Sequence, residues 1–305
     1  LIANCRFFGG VYYSRMWLFG NPNHKNTRYV SGVTMAGESD PTYWPKFADS
    51  DVGEYEISDI VIQYNKQIIF TTGNDNEASA WYSEQETFTD SSTGLVTTLF
   101  PVFPMNKKIG NVAPGQTQII YNNPFTVWKG IYEWQSTNVI NEKNAQWISQ
   151  RVQSDLEKVD LTKALTVDWS DHGQYWICVG KRIWVLNYRV NAWYILDLPH
   201  TPTCFMLADA DLYFGTESGL VMVFDKNTGT FDGETINARW HSGFYNFGAD
   251  WVRKFVQRMF VSILPLAKTH IDIKFETDVS NESDTFTADY GLSNFDTWDF
   301  STFSF

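Results

Sequence analysis

Cysteine is scarce in this chain of 305 residues, which contains only Cys5, Cys178 and Cys204. Their odd number argues against a disulfide framework. The lack of a CxxC pair or a Cys/His cluster argues against a zinc site. We therefore expect a protein that folds in a reducing compartment, and we expect neither a metal nor a cofactor.

Long apolar runs are also missing. No stretch approaches the ~20 apolar residues that a membrane-spanning helix needs, and the chain does not open on a basic segment followed by an apolar one. We predict no membrane span. Because the sequence begins at Leu1 and stops inside a strand-like pattern at Phe305, we expect a segment of a longer protein.

Basic residues are outnumbered, with 23 Lys and Arg against 35 Asp and Glu and a formal net charge of -12. A field of that sign repels phosphate, which argues against sequence-independent binding of nucleic acid. The basic runs Lys107-Lys108 and Lys181-Arg182 are only pairs, as expected of exposed turns.

Helical periodicity is rare, and residues 144–158 are the one candidate, either a short helix or a long polar loop. Aromatic residues are abundant at 17%, and such side chains suit the half-buried surfaces of strands. Short apolar or alternating runs are separated by Gly, Asn, Asp and Pro. This pattern predicts an all-β fold of the sandwich, barrel or propeller type.

Internal repeats favour the propeller. Residues 175–180 and 182–187, a polar turn and residues 193–196 form one unit, and residues 212–215 and 219–225, a turn and Phe231 form the next. Gly180 and Gly215 lie 35 positions apart and are predicted to be equivalent. Each unit reads as strand, turn, strand, hairpin turn and aromatic closing strand, which is the order of a propeller blade.

Weaker copies of the unit precede these two, and we predict about five partial blades in an irregular β-propeller over residues 1–233. The copies use three groups of segments: residues 15–20 with 27–32, residues 57–62 with 67–73 and 80–83, and residues 118–121 with 125–128 and 130–134.

A second β module, sandwich-like or barrel-like and cut off at its far end, is predicted over residues 234–305. Its predicted strands are residues 235–240, 255–264 and 270–276. The aromatic/polar alternation of residues 295–305 is expected to need a partner surface.

Several of these segments resemble one protein family. Arg15-Met-Trp-Leu-Phe-Gly-Asn-Pro-Asn23, Thr27-Arg-Tyr-Val-Ser-Gly32 and Asp40-Pro-Thr-Tyr-Trp-Pro45 are similar to stretches of bacteriophage virion proteins, as are residues 51–53, 57–60 and 66–70. Residues 236–248, Arg253-Lys254 and the closing aromatic alternation resemble the strand module that follows their propeller. The chain thus resembles the tail hub or nozzle proteins of short-tailed phages, also called packaged-DNA stabilisation proteins.

The resemblance implies a ring of identical subunits in the virion, at the exit of the phage tail, joined to an adaptor or portal protein above. It implies assembly in the host cytoplasm and passage of DNA through a lumen without sequence-specific binding. It supplies no catalytic residues, so we predict a structural protein and not an enzyme.

Residues able to carry catalysis are present without an evident grouping. A glycosidase needs two opposed carboxylates at a fixed separation, and the candidates Asp168, Asp209, Asp211 and Glu217 all fall in or beside predicted turns. No G-x-x-x-x-G-K-[ST], G-x-G-x-x-G or G-x-S-x-G motif occurs. The alternative hypothesis, a carbohydrate-binding or glycan-degrading propeller acting on a host surface, would require paired carboxylates and arginines on adjacent blade tops.

Two turn motifs suggest structure more than chemistry. Residues 171–176 contain D-x-G-x-x-W, close to the Asp box of sialidase propellers, in which Asp and Gly shape a hairpin turn and the aromatic packs between strands. Residues 225–229 superficially match the start of a calcium loop but lack its later ligands, so a plain hairpin turn is predicted.

The remaining candidates for binding are histidines and aromatics. The five histidines, His24, His172, His200, His241 and His270, are scattered, which argues against a metal site. Most Trp and Tyr side chains are expected to fill the wedges between blades, and a few to seal contacts between subunits.

Overall fold

The structure is a computed structural model. It describes residues 2–45, 49–73, 79–94, 96–136, 144–225, 228, 230–241, 248, 252, 269–275 and 284–290. The chain forms two compact units, Leu1–Asp225 and Lys226–Phe305. The first unit consists of five consecutive antiparallel sheets, which we call blades 1 to 5.

Blades 1 and 2 each have four strands and carry a small extra hairpin. Blade 1 follows a 3-10 turn at Ile2–Asn4 and contains β1 (Phe7–Tyr12), β2 (Arg15–Phe19) and β3 (Thr27–Val30), the hairpin β4 (Gly32–Val33) with β5 (Ser39–Asp40), and finally β6 (Asp49–Asp51). Blade 2 contains β7 (Ile57–Gln63), β8 (Lys66–Thr71) and β9 (Ser79–Ser83), the hairpin β10 (Glu86–Thr89) with β11 (Val96–Leu99), and β12 (Val102–Asn106).

Blades 3 and 4 also have four strands, and blade 5 has three within the described residues. Blade 3 is β13 (Gln118–Ile120), β14 (Asn123–Val127), β15 (Ile131–Trp134) and β16 (Ala145–Trp147), followed by helix α1 (Gln153–Leu156) and a 3-10 turn at Leu161–Lys163. Blade 4 is β17 (Leu165–Trp169), β18 (Gln174–Val179), β19 (Arg182–Asn187) and β20 (Ala192–Asp197), with a 3-10 turn at Ser170–His172. Blade 5 is β21 (Pro202–Ala208), β22 (Asp211–Thr216) and β23 (Val221–Val223).

Successive blades meet through their early strands. β1 contacts β7, β7 contacts β14, β13 contacts β17, and β17 contacts β21. Stacking consecutive antiparallel sheets in this way is the organisation of a β-propeller. The fold is therefore an all-β propeller followed by a second β module, as the sequence predicts.

The core of the propeller lies between blades because each inner blade is covered on both faces. β18 reads Tyr-Trp-Ile-Cys, and all four side chains are buried. Tyr175 and Ile177 join a large apolar cluster shared with blade 3, whereas Trp176 packs on Phe224 beside blade 5. A strand buried on both faces has a continuous apolar run in place of alternation, which explains the sequence of this repeat.

Most predicted strands of the five blades are confirmed, including the three weaker groups upstream. The predicted equivalence of Gly180 and Gly215 is wrong. Gly180 lies in the turn between β18 and β19, whereas Gly215 lies inside β22. β18 begins at Gln174 and β22 at Asp211, so the repeat has an offset of 37 residues, and the turn after β22 takes its glycine at Gly219.

The prediction of a short helix or a long polar loop over residues 144–158 is confirmed for residues 148–158 and wrong for residues 145–147. Ala145–Trp147 pairs with β15 as the fourth strand of blade 3, and only Gln153–Leu156 is helical. Val152, at the N-cap position of this helix, provides no side-chain hydrogen bond to the first turn.

The second unit is described mainly by two hairpins, β24 (Thr230–Phe231) with β25 (Glu234–Thr235), and β26 (Thr269–Phe275) with β27 (Asp284–Tyr290). The predicted strand at residues 270–276 is confirmed as β26. The predicted strand at 235–240 is wrong, because only Thr235 pairs with a neighbouring strand and residues 236–240 form none. Residues 255–264 and 295–305 lie outside the described residues.

Candidate functional site: the contacts between blades

Arg28 in β3 joins blade 1 to blade 2. Its guanidinium is completely buried and donates to the side chains of Gln67 in β8 and Ser83 in β9, the latter at 3.2 Å. It also donates to Ser50 Oγ at 2.8 Å within blade 1 and to the carbonyl of Phe100. One side chain therefore ties together two sheets and the segment between β11 and β12.

The charge of Arg28 has an unusual environment. Its hydrogen-bond partners are neutral, and among the described residues no carboxylate forms an ion pair with it. The guanidinium lies over the Trp17 ring at 4.6 Å, a cation–π contact. Burial lowers the pKa of Arg28 to about 9, because the charged form loses its hydration.

Blades 2 and 3 are joined by two side chains of β7. Gln63 Nε2 donates to the Trp134 carbonyl at 3.0 Å, and Asp59 Oδ2 accepts from the Thr117 backbone N–H at 3.1 Å. Burial raises the pKa of Asp59 to about 6, although hydrogen bonds from Thr117 and Ile60 oppose the shift.

Blades 3 and 4 are joined by Gln116, which precedes β13. Its Nε2 donates to the carbonyls of Leu161 and Ala164 at 2.7 and 3.0 Å. Its own carbonyl accepts from Thr166 Oγ1 of β17 at 2.8 Å. Three polar atoms in this interface, Gln116 Oε1, Tyr175 OH and Trp184 Nε1, are buried without a hydrogen-bond partner.

Blades 4 and 5 are joined by Trp169 at the end of β17, whose Nε1 donates to the Ala210 carbonyl at 2.7 Å. An aromatic pair accompanies the polar contact at all four interfaces. From the first to the last, the pairs and their centroid distances are Trp17–Phe100 at 5.1 Å, Phe70–Trp134 at 5.1 Å, Phe125–Tyr175 at 5.4 Å and Trp176–Phe224 at 4.8 Å. The structure thus places aromatics in the wedges between blades, as the sequence predicts.

The carboxylates considered for glycosidase chemistry are spread over blades 4 and 5, with Asp209 and Asp211 both at the turn between β21 and β22. Asp168 accepts from Tyr188 OH at 3.1 Å, while the adjacent Trp169 reaches blade 5 from the opposite face of the sheet. Asp211 is the first residue of the six-residue β22, and Glu217 directly follows its last residue, so their Cα atoms lie up to about 20 Å apart at the usual rise per residue. A glycosidase pair requires about 5–9.5 Å.

The Asp-box match forms the turn between β17 and β18. Gly173 adopts a φ of +67°, and Arg189 Nη2 donates to the carbonyls of Ser170 and Asp171 at 3.2 and 2.9 Å. Trp176 packs between blades 4 and 5. The motif therefore forms a hairpin turn, as predicted.

Other candidates for binding chemistry stay apart. His172 stacks on Trp169 with centroids 3.9 Å apart, and the described part of the chain contains no group of three His, Cys, Asp or Glu able to bind a metal. The hairpin turn predicted at residues 225–229 lies partly outside the described residues. A cavity of about 30 Å³ beside Lys66 and Trp134 has room for about one water molecule.

Sequence reasoning missed the polar contacts formed by Arg28, Gln63 and Gln116. For Arg28, the one signal in the sequence was a charged residue inside a short strand-like segment. The structure shows that every side chain of that strand, Thr27–Val30, is buried. Over the described residues, no helix has the length and apolar character needed to cross a bilayer.

The fold and these contacts define a β-propeller scaffold. No protein-family profile and no curated protein matches the chain. Among solved structures it is similar to BamB from Moraxella catarrhalis, with 9% identity and a TM-score of 0.35 over 70% of this chain and 67% of that one. It is also similar to Saccharomyces cerevisiae Sqt1, with 10% identity and a TM-score of 0.39 over 72% and 70% of the two chains. It is similar as well to the AfRom2 CNH domain, with 9% identity and a TM-score of 0.41 over 95% of this chain and 82% of that one. Similarity at this level supplies no argument about function.

Proposed function

We propose that this protein is a structural component of a phage tail, a hub, nozzle or neck subunit that forms part of a ring retaining or conducting packaged DNA. The supporting observation is the way the buried polar groups are used. Arg28, Gln63, Gln116 and Trp169 each fasten one blade to the next. A rigid array of sheets suits a scaffold within a symmetric assembly.

The proposal includes partners and location. Copies of the chain form a homo-oligomeric ring in the virion, after assembly in the host bacterial cytoplasm, and contact other tail proteins or a portal or adaptor protein. DNA passes through the lumen without sequence-specific binding, consistent with the net charge of -12. The protein is not an enzyme.

The test is genetic and biochemical. A nonsense mutation in the gene should yield particles that lack the protein and lose their DNA, measured as the fraction of genome sensitive to DNase. Supplying the wild-type gene in trans should restore DNA retention. Quantitative mass spectrometry of purified particles should find several copies per tail, and absence of the protein from infectious particles would refute the proposal.

A sugar titration provides the contrast with a glycan-binding function. Tryptophan fluorescence is followed while oligosaccharides from the host surface are added, with Trp147 and Trp240 as exposed reporters. We expect no saturable quenching. Saturable quenching by a defined sugar would favour the carbohydrate-binding alternative instead.

A further inference from the structure

The turn between the first and second strands of blades 1, 2 and 3 carries a tyrosine at the same position each time. Each turn is a two-residue hairpin loop, as the register of the flanking strands shows. The first loop residues are Tyr13, Tyr64 and Tyr121, which we call the tyrosine row. They are 47%, 63% and 73% exposed. Three successive blades therefore leave an aromatic ring in solvent at one equivalent position.

The turn itself does not require a ring. The tyrosine row has φ values of +48°, +54° and +49°, in the left-handed region where Gly, Asn and Asp are preferred and bulky residues are uncommon. Blade 5 forms the same two-residue turn with Asp209 and Ala210, both also at positive φ. Because that turn forms without an aromatic residue, the repeated tyrosine indicates a role outside the turn.

Hydrogen bonds hold the three turns next to one another. Tyr12 OH, at the end of β1, lies 2.6 Å from the Asn65 carbonyl in the turn of blade 2. Gln63, at the end of β7, donates from Nε2 to Asn123 Oδ1 at the start of β14, at 3.3 Å. The tyrosine row therefore runs along one end of three consecutive sheets, with a spacing of about 10 Å, the usual distance between packed sheets.

The groups beside the rings suit an uncharged ligand. Lys66, which follows the middle turn, forms an ion pair with Glu84 at 2.6 Å. Arg15, which follows the first turn, donates from Nη1 to the Ser31 carbonyl at 3.0 Å. A single-stranded nucleic acid would need a positively charged groove along its backbone. The second loop residues are neutral and polar: Ser14, Asn65 and Asn122.

The spacing of the rings distinguishes between peptide conformations. A polyproline II helix has three residues per turn and rises about 3.1 Å per residue, so it presents the same face every ~9 Å. A β-strand presents the same face every ~7 Å. The polyproline II repeat matches the spacing of the tyrosine row, and its carbonyls have no internal partners. Aromatic surfaces recognise proline-rich segments in this conformation.

We propose that the tyrosine row binds a proline-rich segment of another protein in the polyproline II conformation. Prolines three residues apart pack against successive tyrosines, and the polar loop residues donate to the carbonyls between them. Three rings at this spacing span about 20 Å, the length of about seven residues of polyproline II. The inference goes beyond the function proposed above and does not depend on it.

The experiment measures the fluorescence anisotropy of labelled decaproline, with a Gly-Ser peptide of the same length as the control ligand. The variants are Tyr64→Asn and a triple variant that adds Tyr13→Asn and Tyr121→Asn. Asn is favoured at positive φ, so these changes remove the rings and retain the turns. Tyr43→Asn is the matched control, since Tyr43 is 58% exposed and belongs to none of the three turns. Circular dichroism checks folding.

We expect the wild type and Tyr43→Asn to bind decaproline saturably and to ignore the Gly-Ser peptide. Tyr64→Asn should bind at least about fivefold more weakly, because the middle ring contacts the peptide at its centre. The triple variant should show no binding. Unlabelled maltohexaose, a neutral sugar, should not displace the peptide.

Three results would overturn the proposal: a wild type that does not bind decaproline, a triple variant that binds it as tightly as the wild type, or displacement of the peptide by maltohexaose. The second would place the peptide on another surface, and the third would indicate a sugar site. None of the three bears on whether the protein is present in phage particles.

Discussion

The interface between blades 1 and 2 and the interface between blades 3 and 4 solve the same packing problem differently. The first buries a charged side chain, Arg28, with several hydrogen-bond partners. The second buries a larger apolar cluster and leaves Tyr175 OH and Trp184 Nε1 without partners. The first interface also leaves one buried polar atom, Gln67 Nε2, without a partner. Side-chain hydrogen bonds therefore contribute more to the first interface and apolar area more to the second, and neither satisfies every buried polar atom.

The strongest test of this difference is Arg28→Ala. We expect a loss of about 3–4 kcal/mol in the free energy of unfolding, because Gln67, Ser83 and the Phe100 carbonyl lose their donor and a cavity remains. Chemical denaturation measures the change. Arg28→Met fills most of the volume and isolates the polar part of the loss. A change below about 1 kcal/mol for both variants would refute a central role for Arg28.

The interface between blades 2 and 3 allows a test by pH. The pKa of Asp59 in the folded protein is raised to about 6, above its value of ~3.9 in an unfolded chain. The folded state therefore binds the proton more tightly, and stability falls as pH rises from about 4 to 6, by up to about 3 kcal/mol.

Asp59→Asn removes this titration. We expect the variant to be more stable than the wild type at pH 7 and to differ little from it at pH 3.5. Urea denaturation at the two pH values measures both differences. Equal pH dependence in the two proteins would mean that Asp59 is hydrated and titrates normally.

Two Tyr→Phe substitutions compare the first and third interfaces directly. Tyr12 OH lies 2.6 and 3.2 Å from the carbonyls of Asn65 and Ser83, which compete for its single proton, so Tyr12→Phe should cost about 1–2 kcal/mol. Tyr175 OH has no partner, so Tyr175→Phe should be neutral or stabilise by up to about 1 kcal/mol. Thermal unfolding of the two variants side by side is the measurement. A destabilising Tyr175→Phe would reveal a buried water bound to that hydroxyl.

The smallest effect is expected at an exposed arginine. Arg182 donates from Nε and Nη2 to both Asp197 oxygens at 2.7 and 3.0 Å, on the surface of blade 4. Asp197→Asn should cost about 0.5 kcal/mol, and less in high salt, because water and ions screen an exposed pair. If Asp197→Asn lowered the free energy of unfolding as much as Arg28→Ala, burial would not explain why Arg28 contributes more to stability than Arg182.

Much of the fold could be predicted because the strands have local signatures. The apolar runs at residues 57–62 and 175–180 identify buried strands, and polar turns separate them. The wrong secondary-structure predictions concern segments whose conformation depends on pairing with another strand. Ala145–Trp147 forms a strand because it pairs with the edge of β15. Residues 236–240 form none, and no strand among the described residues pairs with them.

For the contacts between blades, the sequence predicted the type of residue involved but not the individual polar contacts. Aromatic wedges between blades follow from composition, since large rings must be buried somewhere in a molecule that is 17% aromatic. The polar contacts of Gln63 and Gln116 could not be anticipated, because their acceptors lie 71 and 45 residues or more away along the chain.

The sequence by itself determined that the chain is all-β, where most strands lie and that they repeat as blades, because alternation, turn residues and aromatic content act locally. Only the tertiary structure decided which face of each strand is buried. The same apolar pattern places Phe19 in the core and leaves Phe8 exposed, depending on whether a neighbouring blade covers that side of the sheet. The burial of Arg28 was decided in the same way, since its partners come from a separate sheet.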